Sequence, residues 1–599
     1  MFFFRKEIYL QILSLIVGII ISTLIWEHIK LDFVNNEEIV GEYSLYTHHS
    51  LNDTLRYIFF IAFPIFLFLI TFFFTKNSDD YKNFSLNIFL LDPQKEISKK
   101  NNFKTFILIS FLTIILFILN DFNVERMDIF EAGISLSGST LLENKLSPWL
   151  DVYINTGFFY DMLLAKTSWI LTGFRSIGSY NFFKEFLNLL SIITLIYFFY
   201  EVSKSFKDHF IRSNFFLITS FFLILYLDSI NIWRDLPLII FLSSILRFIN
   251  TKKNSSIIII SFLSVFTFFW SLDRGFFIFF LLVPFLIFVI INHKKEFAKF
   301  ILTIFIFFLI LVIFLDENIL KSFFTHTQDI FFNHEKLNGI IHPTPFSDDP
   351  HSVRATKSLI VILLNFVISF LFIVRKKSNF IDGTKFIFLF FSIMNFIIYK
   401  SALSRSDGPH IKEATYFSII LLSVFLILFV INYFASKKLL VQNQKKIKYS
   451  YILIFLFVVF QNQNISNIFN FPQNYKKLVS SQNHKFLDKD YYDSVELLED
   501  FFRNEECLQA FTYDQAIFYM VEKKSCSKFY NVWVIGSKTN QLDYINELEN
   551  RTPRFLLKGG NVNFQSLSER YPYIDKYISK EYILYKKIKS WEIYIKNKS

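Results

Sequence analysis

Residues 127–161, MDIFEAGISLSGSTLLENKLSPWLDVYINTGFFYD, are the one early place where carboxylates, glycines and a proline interrupt a greasy chain. An apolar run ends near Asn120 and another begins near Phe186, so this stretch reads as lying outside the hydrocarbon. If its apolar half, 157–174, counted as a membrane span, every later loop would invert and the lysine clusters would face the wrong way. It therefore reads as an interfacial helix pair. Its acids, Asp128, Glu131, Glu143, Asp151 and Asp161, then sit at a membrane boundary. There a carboxylate escapes the desolvation cost of the bilayer centre, and a general base can survive.

Outward from that stretch the composition agrees. A chain of 599 residues that is 53% hydrophobic with 83 phenylalanines carries too much apolar surface for a water-soluble globule, so it reads as a polytopic α-helical membrane protein. With ~20 residues needed to cross, about thirteen spans are expected, the last centred near residue 455. The first, 8–26, is too long for a signal-peptide core and is expected to stay as an anchor. The net charge of +11 comes from lysines in short clusters between apolar runs. That pattern sets topology and does not mark a nucleic-acid surface.

The basic segments, at 5–6, 76–104, 204–212, 252–253, 294–299, 375–377 and 437–448, alternate with segments rich in Asp, Arg and His. The positive-inside rule places the former in the cytoplasm together with the N-terminus. The latter face out: 27–54, 121–181, 228–235, 273–275, 316–357, 401–412 and all that follows Gln461. The chain divides into a membrane region, 1–461, with large outer loops at 121–181 and 316–357, and an extracytoplasmic α/β domain, 462–599. Both cysteines, Cys507 and Cys526, fall in that domain and read equally well as a disulfide or as two buried thiols. Asp514 between them reads as a turn residue.

Four outward groups could carry chemistry: Asp128 and Glu131 with Asp151 and Asp161; Arg234-Asp235; Asp273-Arg274; and SALSRSDGPHIKE with Arg405, Asp407 and His410. Arginine forks suit phosphate oxygens, and a nearby carboxylate can take a proton from an attacking hydroxyl. A single Asp/Arg dipeptide is more often an ion pair or a helix cap. The 405–410 group makes a poor helix and a good binding turn. The 316–357 loop holds His326, His334, His342 and His351 with Arg354, without metal-ligand spacing, and suggests a lid. No phosphate-binding loop, dinucleotide fingerprint or nucleophile elbow is present.

In this ordered set the chain resembles the GT-C superfamily of integral-membrane glycosyltransferases, similar to protein mannosyltransferases and aminoarabinose transferases. The matching positions are Asp128, Gly133, Leu136, Pro148, Asp151, Gly157 and Asp161, with the late RSDGPH stretch. The resemblance implies a polyprenyl-phosphate-linked sugar donor, a glycan, lipid or protein acceptor at the outer face of a bacterial inner membrane, and inversion at the anomeric carbon. It implies an aspartate as base, Asp128 or its neighbour Glu131. Asp151, Asp161, Arg234, Asp235, Asp273, Arg274, Arg405, Asp407 and His410 would bind substrate, Arg405 with Arg234 or Arg274 holding the phosphate. Superfamily members usually carry the acidic loop directly after the first span, whereas two additional spans precede it here, which makes Glu37 and Glu38 rivals of Asp128. No cofactor is fixed by the sequence, and a divalent cation is a candidate. Two alternatives are an O-antigen ligase or polymerase, which would work through His351 and Arg354 on a diphosphate-linked glycan, and a lipid or glycan transporter. Transport sites favour ionisable groups at the midplane, and here the charges gather at span ends.

Overall fold

A computed structural model describes residues 6–41, 50–75, 100–119, 122, 124–204, 209–225, 231–374, 383–436, 466–560, 562 and 567–597. The membrane region is a bundle of α1 (Lys6–Trp26), α2 (Leu51–Thr75), α3 (Lys100–Leu119), α4 (Glu131–Glu143), α5 (Leu164–Thr172), α6 (Ile177–Lys204), α7 (His209–Leu225), α8 (Leu236–Thr251), α9 (Asn254–Trp270), α10 (Leu272–Asn292), α11 (Lys294–Phe314), α12 (Glu317–Asn338), α13 (Ser352–Val374), α14 (Gly383–Ile398), α15 (Lys400–Ser404) and α16 (Gly408–Ser436). Among the described residues, eight helices are long and apolar enough to cross a membrane. Four further apolar helices, α3, α7, α8 and α9, fall on expected spans but lack that length or apolar run, so the count of about thirteen is not established. The span expected near 455 and the basic segments at 375–377 and 437–448 lie outside the described residues, as does most of 76–104.

These helices are apolar on nearly all sides, as lipid-facing or deeply buried helices must be. The main core joins α6, α8, α9, α10, α14 and α16 through residues such as Ile196, Phe241, Ile278, Phe390 and Phe425. In α11 only Phe300 is buried, so that helix rides on the outside of the bundle. Gly18 lets α1 close on α2: a Cβ there would lie 2.6 Å from the Pro64 backbone.

The segment expected as the lid, 316–357, is instead largely a helix. Residues 319, 323, 326, 330, 334 and 337 fall on one face at helical spacing. Asp316 starts α12 by accepting from the Asn318 N–H at 2.8 Å. His326 and His334 belong to its packed face, His326 stacked 4.2 Å from Tyr153 and His334 edge-on at 4.9 Å from Trp533. His342 lies elsewhere, bonded to Tyr399, so the histidines do not gather.

The C-terminal region carries α17 (Ser466–Val479), α18 (Lys489–Phe502), α19 (Lys538–Arg551), α20 (Pro572–Glu581) and a four-stranded sheet of β1 (Gln509–Phe511), β2 (Phe555–Gly559), β3 (Tyr582–Ile588) and β4 (Trp591–Lys596) in the order β1-β2-β4-β3. β1 and β2 run parallel with α19 between them, and β3-β4 is a hairpin. Cys507 and Cys526 are joined in a disulfide.

This region is fused to the end of the bundle that carries the acidic stretch. One hydrophobic core runs from Leu136, Trp149 and Met162 into Tyr491, Ile517 and Trp591. Backbone bonds stitch the seam, from Met127 N–H to the Phe486 carbonyl and from Tyr153 N–H to the Lys528 carbonyl, both at 2.8 Å. Glu37 and Glu38, the rival bases, are engaged here instead. Glu37 accepts from the Thr539 N–H at 3.0 Å and the Thr539 hydroxyl at 3.1 Å, and Glu38 pairs with Lys538 at 2.6 Å.

Candidate active site

The polar groups collect at the ends of four elements. Asp128 sits ahead of α4, and its Oδ1 accepts from the N–H groups of Phe130 at 2.9 Å and Glu131 at 3.0 Å. The acid caps the helix while remaining exposed. One turn on, Glu131 reaches to 3.7 Å from the Arg405 guanidinium.

Arg405 leads the turn before α16, and its Nε binds Asp407 at 3.0 Å. Asp407 also accepts from the His410 N–H at 3.0 Å and contacts His410 Nδ1 at 2.7 Å. Burial works against the Asp407 charge, yet His410 and Arg405 outweigh it and hold the carboxyl down to about 2. Over this turn lie Arg354 and His351, packed against Gly408 where a Cβ would meet both side chains.

Arg234 and Asp235 form a single 3-10 turn before α8, and Asp273 and Arg274 open α10. They cross-pair. Arg234 donates to Asp273 at 3.2 Å and to Ser271 Oγ at 3.2 Å, while Arg274 binds Asp235 at 2.8 Å and also Asp273. The two arginines, alternatives for the phosphate clamp by sequence, therefore differ. Arg274 is enclosed by two carboxylates and has its charge answered internally. Arg234 keeps a half-exposed guanidinium 5.2 Å over the Tyr160 ring, and its buried Nε has no partner. Because Arg274 occupies both Asp235 and Asp273, these acids do not suit a divalent cation. Among the described residues no group of three His, Cys, Asp or Glu side chains converges as a metal site.

Tyr160 and His334 join the Arg234 group to the Arg405 group. Tyr160, pushed up mainly by burial, feels Glu131, Arg234 and Asp161. His334, lowered mainly by burial, feels Asp273, Arg234 and Arg405. Neither was singled out by sequence for this place. Tyr160 carries only its adjacency to Asp161, and His334 only its place on the packed face of α12.

Two expected substrate contacts stand elsewhere. Asp151 accepts from the Ser147 N–H at 2.9 Å and closes its own turn. Asp161 is fully buried, with Oδ2 accepting from Asn155 N–H at 2.7 Å and Thr156 N–H at 3.0 Å.

No family model matches the chain, and no curated protein matches it.

Proposed function

We propose that this chain is a membrane glycosyltransferase of GT-C type that moves a sugar from a polyprenyl-phosphate donor to a glycan, lipid or protein acceptor. The observation that carries this reading is the meeting, at one end of an apolar helix bundle, of an exposed carboxylate pair, Asp128 and Glu131, with the incompletely paired guanidinium of Arg234 and with Arg405. In this reading Asp128 takes the acceptor proton while the arginines neutralise charge growing on the leaving phosphate. The lipid tail stays among the apolar helices. The basic segments then face the cytoplasm, and the C-terminal region sits outside the inner membrane.

The test is transfer by purified protein from a polyprenyl-phosphate sugar. Asp128→Asn is expected to lower turnover by about 10²–10⁴-fold. Arg405→Lys keeps the charge but loses the planar fork, and is expected to lose most activity. Full activity in Asp128→Asn overturns the role of Asp128, and a modest loss moves the base to Glu131.

A second reading has one observation in its favour. Arg354 and His351, the residues a diphosphate-dependent ligase would use, pack on the same Arg405–His410 turn. Loss of activity on removing them, with Asp128 dispensable and a diphosphate-linked glycan as donor, would select that reading.

A further inference from the structure

The head of α10 has an unusual arrangement of caps. Ser271 occupies the position that would cap this helix, yet its hydroxyl makes no capping bond. It binds Asp273 and receives a bond from Arg234 at 3.2 Å. The first N–H groups are met otherwise: the Thr156 carbonyl, from another part of the chain, accepts from Leu272 N–H at 2.6 Å, and Asp273 Oδ1 accepts from Arg274 N–H at 2.8 Å. A helix must satisfy its first N–H groups somehow. Here a distant carbonyl and the Asp273 carboxylate do so, and the Ser271 hydroxyl is left for Asp273 and the arginine.

That carbonyl is held in place by one acid. The Asp161 carboxylate gathers the N–H groups of Asn155 and Thr156, and the Asp161 N–H returns to the Gly157 carbonyl at 2.8 Å, closing 155–161 into a ring. Gly157, at φ +153°, presses so closely on α10 that a Cβ would lie 2.8 Å from the Trp270 carbonyl and from Ser271 Cα. On the other side the Asp161 carbonyl rests on Gly138 of α4. Asp161 itself sits in a five-residue π-helical turn, Phe159–Leu163, a distortion often found at functional sites. Its Oδ1 is buried without a partner.

We propose that Asp161 is a positioning residue: it clamps the 155–157 loop onto the head of α10 and thereby sets where Ser271, Arg234 and Asp273 stand in the site. The clamp is weakest when Asp161 is charged, because a buried carboxyl whose proton is held more tightly than in water favours the closed state when neutral and loses that advantage as it ionises. Burial raises this carboxyl to about 6, against the pull of the two N–H groups and of Arg234. The groups facing it are Tyr160 from its own turn, Arg234 from the turn before α8 and Tyr530 from the C-terminal region. From α4, Gly138 lies against its carbonyl, and Ser139 donates to the next residue's carbonyl at 2.8 Å.

The test has two arms, and only the second rests on the transferase reading. Hydrogen exchange of the purified wild-type protein at pH 5 and pH 7.5, corrected for intrinsic rates, should show the amides of Asn155, Thr156 and Leu272 about tenfold more protected at pH 5, because opening returns a carboxyl held at about 6 to the ordinary range of ~4 and must give up its proton. Asp161→Asn should remove that pH dependence. Equal protection at both pH values in the wild type overturns the proposal, even if the variant does not fold. In the second arm, transfer from a polyprenyl-phosphate sugar should show a limb near pH 6 in kcat that is absent in Asp161→Asn, with donor KM little changed. A variant that keeps the limb overturns the proposal. A wild type without transfer counts against the transferase reading and leaves the exchange result to decide the clamp.

Discussion

Two polar clusters are built at ends of this bundle, and they differ in how completely they are satisfied. Around the head of α2, Asp53 and Arg56 pair at 2.9 Å with Asp53 fully buried, Arg56 Nε donates to the Ile29 carbonyl at 3.1 Å, and Asp53 Oδ2 accepts from His342 N–H at 2.9 Å. His342 continues to the Tyr399 hydroxyl at 2.9 Å, its ring 5.3 Å from Trp26. Every charge there has its answer inside the protein. Around Arg234 the accounting is incomplete: Arg234 Nε, His334 Nδ1, Asn155 Oδ1 and Asp161 Oδ1 are buried without partners. The first cluster is architecture that locks the 339–351 segment onto α1 and α2. The second keeps a half-exposed guanidinium, Arg234, with its Nε unmatched.

The contrast can be broken most forcefully at Arg56. Arg56→Ala would strand the buried Asp53 carboxylate, and removing one partner of a buried pair is expected to destabilise by about 3–5 kcal/mol. Chemical unfolding in detergent measures this. A loss below about 1 kcal/mol, the range of exposed pairs, would show that the cluster is less buried or less matched than the geometry says. Arg405→Lys, at the other cluster, should leave the unfolding midpoint nearly unchanged while activity falls.

How much of this was legible beforehand follows from the range of the signals. Apolar runs are local, so twelve expected span centres fall inside helices. The four charged groups could be listed from sequence because each is a dipeptide or a short turn. What the sequence withheld was pairing. That Arg274 is enclosed by Asp235 and Asp273 while Arg234 is not depends on how α8 and α10 abut, 39 residues apart along the chain. The helix at 317–338 was legible as a periodic face but was masked by its histidines, which suggested exposure. Asp53 and Arg56 attracted no functional reading, and His342 read only as one of the loop histidines, since the bond that joins Asp53 to His342 spans 289 residues.

A smaller effect sharpens the comparison through pH. Asp514, read from sequence as a turn residue, is buried with Oδ1 bonded to the Tyr491 hydroxyl at 2.9 Å and Oδ2 without a partner. Burial raises it to about 7, against the Tyr491 bond and a backbone bond from Ala516. The native carboxyl therefore holds its proton more tightly than the unfolded one. Its contribution to stability is full below about pH 4, its unfolded range, and is lost as pH rises towards 7. The slope is at most about 1.4 kcal/mol per pH unit for one group. Asp161 has the same sign, ending near 6. Thermal midpoints between pH 4 and 8 should fall less steeply in Asp514→Asn than in the wild type. An unchanged slope would place the pH dependence elsewhere.

The smallest expected effect concerns the acids that competed with Asp128 for the role of base. Glu37 and Glu38 lie at the seam with the C-terminal region, where Glu37 accepts from Thr539 and Glu38 holds Lys538 and the Tyr573 hydroxyl. The Lys538 and Tyr573 bonds keep Glu38 below the usual carboxylate range. A base must instead be free to take a proton, within hydrogen-bond reach of the reacting hydroxyl. Both acids are spent on docking one part of the chain onto another. Exposed pairs of this kind are screened by salt and stabilise little. Glu37→Gln and Glu38→Gln should therefore leave transfer close to wild type and lower the thermal midpoint slightly, the difference fading at high salt. Loss of transfer in Glu37→Gln, with the midpoint unmoved, would reverse the assignment: the first outer segment would then carry the base, and Asp128 would be left as the cap of α4.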